Sequence, residues 1–469
     1  MQQGMRRRTA LTRVLASAFA AGTALAGCGS GAAGPAPSER VIASPPASAS
    51  ATPDTVAASD WPTYHHDNAR TGVAPDFPTA GTPTVAWTTP LDGAVYGQPL
   101  VVGGLVYAAT ENDTVYALDP GTGRARWTQH LGTPVPRSAL PCGNIDPLGI
   151  TSTMVYDPAT RLVFALAETT GGHHTLYGLD AATGAVKVTR AAEPPSGDPI
   201  AHQQRGALNL FAGRVYISYG GLFGDCGKYF GSVVAVPTVG DAAAIAYMIP
   251  TTREAGIWAP GGAVVQNGQL VYAAGNGEST SGYDGSDSVI ALTPQLQVAD
   301  RFSPTTWPDD NARDLDLGSM SPAVVGDFVF IAGKRGTGYV LRGDQFGGVG
   351  GQVSQADICK AFGGSAVSAD VVYVPCDDGT RAVRVDPSGQ TQVLWHTAVP
   401  ARGSPVLGGG ALWVVDYQAG LLDVLDPGTG AVRQKLSIGP APHFASPTLA
   451  GGQAYVGTMT GVVAVRPTS

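Results

Sequence analysis

The chain has 469 residues, including 64 Gly and 36 Pro, and only 14% of it is charged and 7% aromatic. That composition excludes a coiled coil, a helical bundle and a charged disordered chain, while 43% apolar residues leave material for a large core. The formal net charge is −8 with no basic run beyond Arg6-Arg7-Arg8, so a nucleic-acid partner is excluded by the missing electrostatic footprint.

Residues 1–27 read as an export signal: Arg6 to Arg8 and Arg13 form a basic start, and Leu11 to Leu25 is apolar and rich in small residues. The stretch closes in Leu25-Ala26-Gly27-Cys28, which resembles the lipobox of bacterial lipoproteins. That resemblance implies cleavage before Cys28, acylation of its thiol and anchoring to the outer face of a bacterial membrane in the cell envelope. Residues 28–60 are dominated by Ala, Ser, Pro and Gly, the composition of a flexible tether that cannot bury a core. The remaining span, 61–469, is predicted to be the folded domain.

Beyond Cys28 the cysteines are Cys142, Cys226, Cys359 and Cys376, an even number suited to two disulfides in an oxidising compartment. Three connectivities are open. Cys142–Cys226 with Cys359–Cys376 is the expected one, since each pair then links neighbouring repeats or closes one repeat. The absence of any CxxC or CxxCH spacing disfavours a Cys-based zinc site and a covalently attached haem.

From Ala86 onward a single pattern recurs, a Gly-containing turn followed by a β-rich run ending in an aromatic residue. Its aromatics are Tyr107, Phe164, Tyr216, Tyr272, Phe330, Tyr373, Trp413 and Tyr455, spaced 57, 52, 56, 58, 43, 40 and 42 residues apart. This is the length of a four-stranded propeller blade plus variable loops. Between the later strands stand hairpin signals such as Leu118-Asp-Pro-Gly-Thr-Gly123, where Pro fixes φ and Gly supplies positive φ. Eight repeats predict an all-β, eight-bladed propeller of four-stranded antiparallel blades. The last repeat lacks its outer strand, and Thr84 to Pro90, with a buried Trp87, is expected to supply it and close the ring.

The Leu-Asp-x-x-Thr-Gly-x-x-x-Trp repeat resembles the quinoprotein, or pyrroloquinoline-quinone (PQQ), propeller superfamily over about residues 61–467. That superfamily includes PQQ-dependent alcohol dehydrogenases and cofactor-free lipoprotein propellers of outer-membrane assembly. The lead-in Trp61-Pro-Thr-Tyr-His-His-Asp-Asn-Ala-Arg-Thr-Gly72 is similar to that of many such chains. Gly256-Ile-Trp258 and Gly275-Asn276-Gly277 are similar to the dehydrogenase stretch in which a Trp stacks on the quinone and an Asn ligates calcium. By this resemblance Trp258 is a cofactor-stacking residue and Asn276 a metal ligand. Asp314-Leu-Asp-Leu-Gly318 resembles the segment that carries the catalytic Asp, implying a catalytic and metal-ligating Asp314. Lys334, in Gly333-Lys-Arg-Gly336, stands where a cation hydrogen-bonds the quinone.

Other features of the dehydrogenases are missing: the sequence has no adjacent Cys pair, no haem motif, and Gln203-Gln204 where a calcium-ligating Glu would be sought. The alternative readings are local: Asn276 as a turn residue, Asp314 and Asp316 bracketing the turn before Gly318, and Trp258 lining the channel mouth. Two functions follow. The first is a binding or assembly scaffold that takes a protein or small-ligand partner on the propeller face, with no cofactor expected. The alternative is a PQQ- and calcium-dependent dehydrogenase of an alcohol or polyol.

Overall fold

The computed structural model describes residues 56–468. The leader, Cys28 and most of the predicted tether lie outside the described residues. The β-rich runs form eight sheets arranged as blades around an axis, each of four mainly antiparallel strands lettered A to D from inside out. Blade 1 comprises Leu100–Val102, Leu105–Thr110, Thr114–Leu118 and Ala125–His130. The remaining A strands are Val155–Asp157, Asn209–Phe211, Val264–Gln266, Ala323–Val325, Ala366–Ser368, Val406–Gly408 and Thr448–Ala450.

Burial along the strands explains their composition. The B strand of blade 5, Phe328–Ala332, is buried along nearly its whole length between two neighbouring blades, so it is apolar without alternation. The D strand Ala125–His130 alternates exposed and half-buried positions, as an outer edge should.

The repeated hairpin motif joins blades together. In the turn after the C strand, Asp119 accepts hydrogen bonds from the Gly121 and Thr122 backbone N–H groups and from the Thr122 hydroxyl. Asp180 and Asp426 brace the equivalent turns in the same way. Onto each turn lies the D-strand Trp of the preceding blade. The Trp127 indole N–H donates to the Ala181 carbonyl at 3.0 Å and that of Trp395 to the Pro427 carbonyl at 3.0 Å. The rings sit so close over Gly184 and Gly430 that a Cβ there would collide with them, and both glycines have positive φ.

Blade 8 takes its fourth strand from the start of the domain. Thr82–Pro90 pairs antiparallel with the final strand Gly461–Thr468, from Thr82 opposite Thr468 to Pro90 opposite Gly461. This closes the ring and leaves no open sheet edge between first and last blades. Trp87, expected to be buried, is half-buried. It occupies an outer D strand, where its indole N–H donates to the Pro120 carbonyl in the turn of blade 1 at 2.8 Å and its ring lies 5.9 Å from that of Tyr455.

Residues 61–74 thread the axis. Their backbone bonds Val101 of blade 1, Tyr156 of blade 2, Val265 of blade 4, Val367 of blade 6 and Leu407 of blade 7. Val73–Ala74 then adds as a parallel strand to blade 7. The buried guanidinium of Arg70 donates to the Leu208 carbonyl of blade 3 and the Ala263 carbonyl beside blade 4, both at 3.1 Å. His65, also buried, faces the Ser365 carbonyl with Nδ1 and the Ser446 hydroxyl with Nε2, each at 2.9 Å. Burial lowers its pKa to about 3, so the ring is neutral. Nδ1 facing a carbonyl must carry the proton, and Nε2 accepts from Ser446.

Candidate functional site

The loops entering each A strand and the turns joining B to C strands gather at one end of the axis, which forms the mouth. The A–B turns lie at the opposite end, where Ala58 and Ser59 meet the Gly451-Gly452 turn. At the mouth opens a cavity of 680 Å³, in the size range of small-molecule sites. Trp258, Asn276, Asp314 and Lys334, separated by up to 76 residues, all line it, together with Asp316. Trp258 comes from the loop before the A strand of blade 4 and Asn276 follows the B strand of that blade, Gln269–Ala274. The carboxylates follow a short helix, Trp307–Arg313, which ends when Asp314 adopts φ 54° and turns the chain toward the axis. Lys334 follows the B strand of blade 5.

Asp316 is the centre of the group. Its side chain is 4% exposed, against 61% for Asp314. One carboxylate oxygen accepts from the Asn276 backbone N–H at 2.7 Å, and the other lies 3.3 Å from the Trp258 indole N–H and 2.9 Å from Lys334 Nζ. Gly275 makes room for it, since a Cβ there would reach Asp316 at 2.7 Å. Lys334 Nζ also donates to Asp314 at 2.6 Å. Burial disfavours the ammonium, but the two carboxylates outweigh burial and raise the Lys334 pKa.

The wall beside Trp258 is aromatic, with the Phe444 ring 6.1 Å from that of Trp258. The Arg205 guanidinium lies between the Tyr96 and Phe444 rings at 5.3 and 5.1 Å, and Phe362 stacks on Phe444 with centroids 6.0 Å apart. Phe223 stands at the rim, 70% exposed. The Cys142–Cys226 disulfide fastens this loop to the segment between blades 1 and 2, and the second bond joins Cys359 to Cys376. Sequence reasoning missed Arg205 and treated Asp316 as a turn residue; the Gln203-Gln204-Arg205 run was the available signal for the former.

Calcium needs six to eight oxygen ligands around one point. Here the Asp314 and Asp316 carboxylates converge on an ammonium. Gln203 lines the cavity, but Gln204 turns its amide to the Gly206 carbonyl. Among the described residues no group of three or more His, Cys, Asp or Glu is placed to hold a metal. With Lys334 so placed, the donor set does not fit calcium. The cavity volume and the Trp258 wall do admit a planar ring.

Residues 79–219 match the family model described as outer membrane protein assembly factor BamB. No curated protein matches the sequence. Among solved structures, the quinohemoprotein alcohol dehydrogenase of Comamonas testosteroni superposes with a TM-score of 0.64 at 18% identity, covering 87% of this chain and 80% of its own. A europium-containing methanol dehydrogenase gives 0.62 at 15% identity, covering 87% and 98%. BamB of Moraxella catarrhalis gives 0.55 at 16% identity, covering 82% and 97%. At these identities the likeness is one of fold. In its repeats, its ring closure and its superposition on both groups, the chain is an eight-bladed β-propeller whose fold is similar to theirs.

Proposed function

We propose that this chain is an exported propeller, held at the outer face of a bacterial membrane by a lipid on Cys28, that acts as a binding or assembly scaffold through its mouth. The observation that carries the reading is the Lys334 ammonium held between Asp314 and Asp316. It satisfies the carboxylates that a catalytic metal would need, and it leaves the cavity as a receptor of aromatic and charged groups. The match of residues 79–219 to an assembly factor supports the same reading, as do two disulfides, which persist in oxidising compartments. No helix among the described residues is long and apolar enough to cross a membrane.

The second reading, a PQQ- and calcium-dependent alcohol or polyol dehydrogenase, is favoured by the convergence of Trp258, Asn276, Asp314 and Lys334 on one cavity. On that reading Trp258 would wall the ring and the Lys334 ammonium would stand near its oxygens, whereas the Asp314 and Asp316 carboxylates, paired with Lys334, leave calcium without its ligands. The deciding experiment reconstitutes the purified soluble domain with PQQ and calcium and follows cofactor absorbance and dye reduction over an alcohol panel. The scaffold reading expects neither; stoichiometric quinone binding with Asp314- or Asp316-dependent dye reduction overturns it.

A further inference from the structure

Arg205 is a cation without a counter-ion. Its Nη2 donates to the His443 carbonyl at 2.8 Å, its Nε is buried with no partner, and no carboxylate lies within ion-pairing distance among the described residues. The guanidinium lies over the Tyr96 and Phe444 rings, 5.3 and 5.1 Å from their centroids, and it lines the cavity. The acid beneath it does not neutralise it. Burial raises the Glu111 pKa to about 8 against hydrogen bonds from the Gly149 N–H and the Thr151 hydroxyl, which leaves this carboxyl protonated at neutral pH. Asp314 and Asp316 are engaged by Lys334. A half-buried guanidinium between two aromatic rings is costly to leave unpaired, and it is preorganised for a planar, bidentate anion.

We propose that the mouth cavity is a metal-independent binding site for a small aromatic carboxylic acid, whose carboxylate pairs with Arg205 and whose ring lies among Phe444, Phe362 and Trp258. This deepens the scaffold reading and rests on it, because the acid takes the space that a metal-bound quinone would need. The site-determining residue lies before blade 3, outside the Trp258, Asn276, Asp314 and Lys334 set.

The test compares 2-naphthoate with the neutral, isosteric 2-naphthamide by calorimetry on the purified domain in the presence of a chelator. The expected result is saturable binding of the acid, about 10- to 100-fold tighter than the amide, the range for one charge-assisted hydrogen-bonded pair. In Arg205→Met the two compounds should bind alike, and in Arg205→Lys part of the preference should return, with thermal unfolding showing that both variants are folded. Equal binding of acid and amide, binding of neither, or a preference that survives Arg205→Met overturns the proposal. Quinone-dependent dye reduction, measured separately, sinks the scaffold reading; loss of acid discrimination without dye reduction sinks this site alone.

Discussion

Replacing Lys334 by Met tests whether the ammonium stands in for a metal at the mouth. The substitution keeps the aliphatic stem and deletes the charge that lies 2.9 Å from Asp316 and 2.6 Å from Asp314. At an effective dielectric near 20 the Asp316 contact alone is worth about 6 kcal/mol of Coulomb energy before desolvation. Stranding one member of a buried pair costs about 3–5 kcal/mol. Lys334 keeps 22% of its side-chain surface in water, so solvent replaces part of the loss, and the exposed Asp314 adds little. The expected destabilisation is about 2–3 kcal/mol, read by urea unfolding. The two carboxylates then lie free on one side of the cavity, and calcium should stabilise Lys334→Met by about 1.4 kcal/mol at tenfold over its Kd while leaving the parent chain unchanged. Adding Asp316→Asn should restore stability and abolish the calcium response. A Lys334→Met variant as stable as its parent, or calcium acting equally on both, refutes the reasoning.

Deleting residues 82–90 should destroy the cooperative thermal transition, since the final strand loses its whole ladder partner; deleting residues 29–55 should leave the melting temperature unchanged, and the reverse order of effects refutes the closure account. Cys28→Ala should release the protein from the membrane fraction with its melting temperature intact, and retention after a salt wash argues against the lipid. Stability should fall as pH rises from about 5 to 9. Burial raises Glu111 to about 8 and Asp113 to about 9, and His174, though burial opposes its charge, is raised to about 9 by Glu168 and Glu193. All three hold protons in the fold that the unfolded chain has released above its ordinary pKa values of 4.5, 3.8 and 6.5, so the stability they carry is present below those values and lost through the folded ones. Glu111→Gln should flatten the decline; an unchanged slope counts against this assignment.

The ring and its closure were legible because they repeat or alternate locally: Asp119, Asp180 and Asp426 brace the same turn in three blades, and Thr84 to Pro90 has the period of a missing strand, while the disulfide pairing found is the expected one of three open to the sequence. The convergence of Trp258, Asn276, Asp314 and Lys334 came through resemblance, and the structure brings all four to one cavity. Which of two aspartates two residues apart points inward was not legible. It depends on the positive φ at Asp314 and on the space left by Gly275 in another blade. Arg205 was hidden for the same reason, since its neighbours Tyr96 and Phe444 lie 109 residues before it and 239 after it. Trp87 was overburied in prospect because the local pattern cannot distinguish an outer strand that faces water from one that does not.

The thread of residues 61–74 also governs how this protein can come into being. It bonds seven of the eight blades at or just before their innermost strands, and the strand right after it waits for residues 461–468. The earliest part of the domain to be made is therefore the last to be satisfied, so the axial thread and blade 8 cannot be completed until the final strand is made. Such long-range pairing predicts slow, all-or-none assembly. A chain cut short anywhere before its final strand has no smaller ring to settle for. It holds an unseated axial segment and an unpaired strand open to proteolysis, so quality control of the propeller is written into its connectivity.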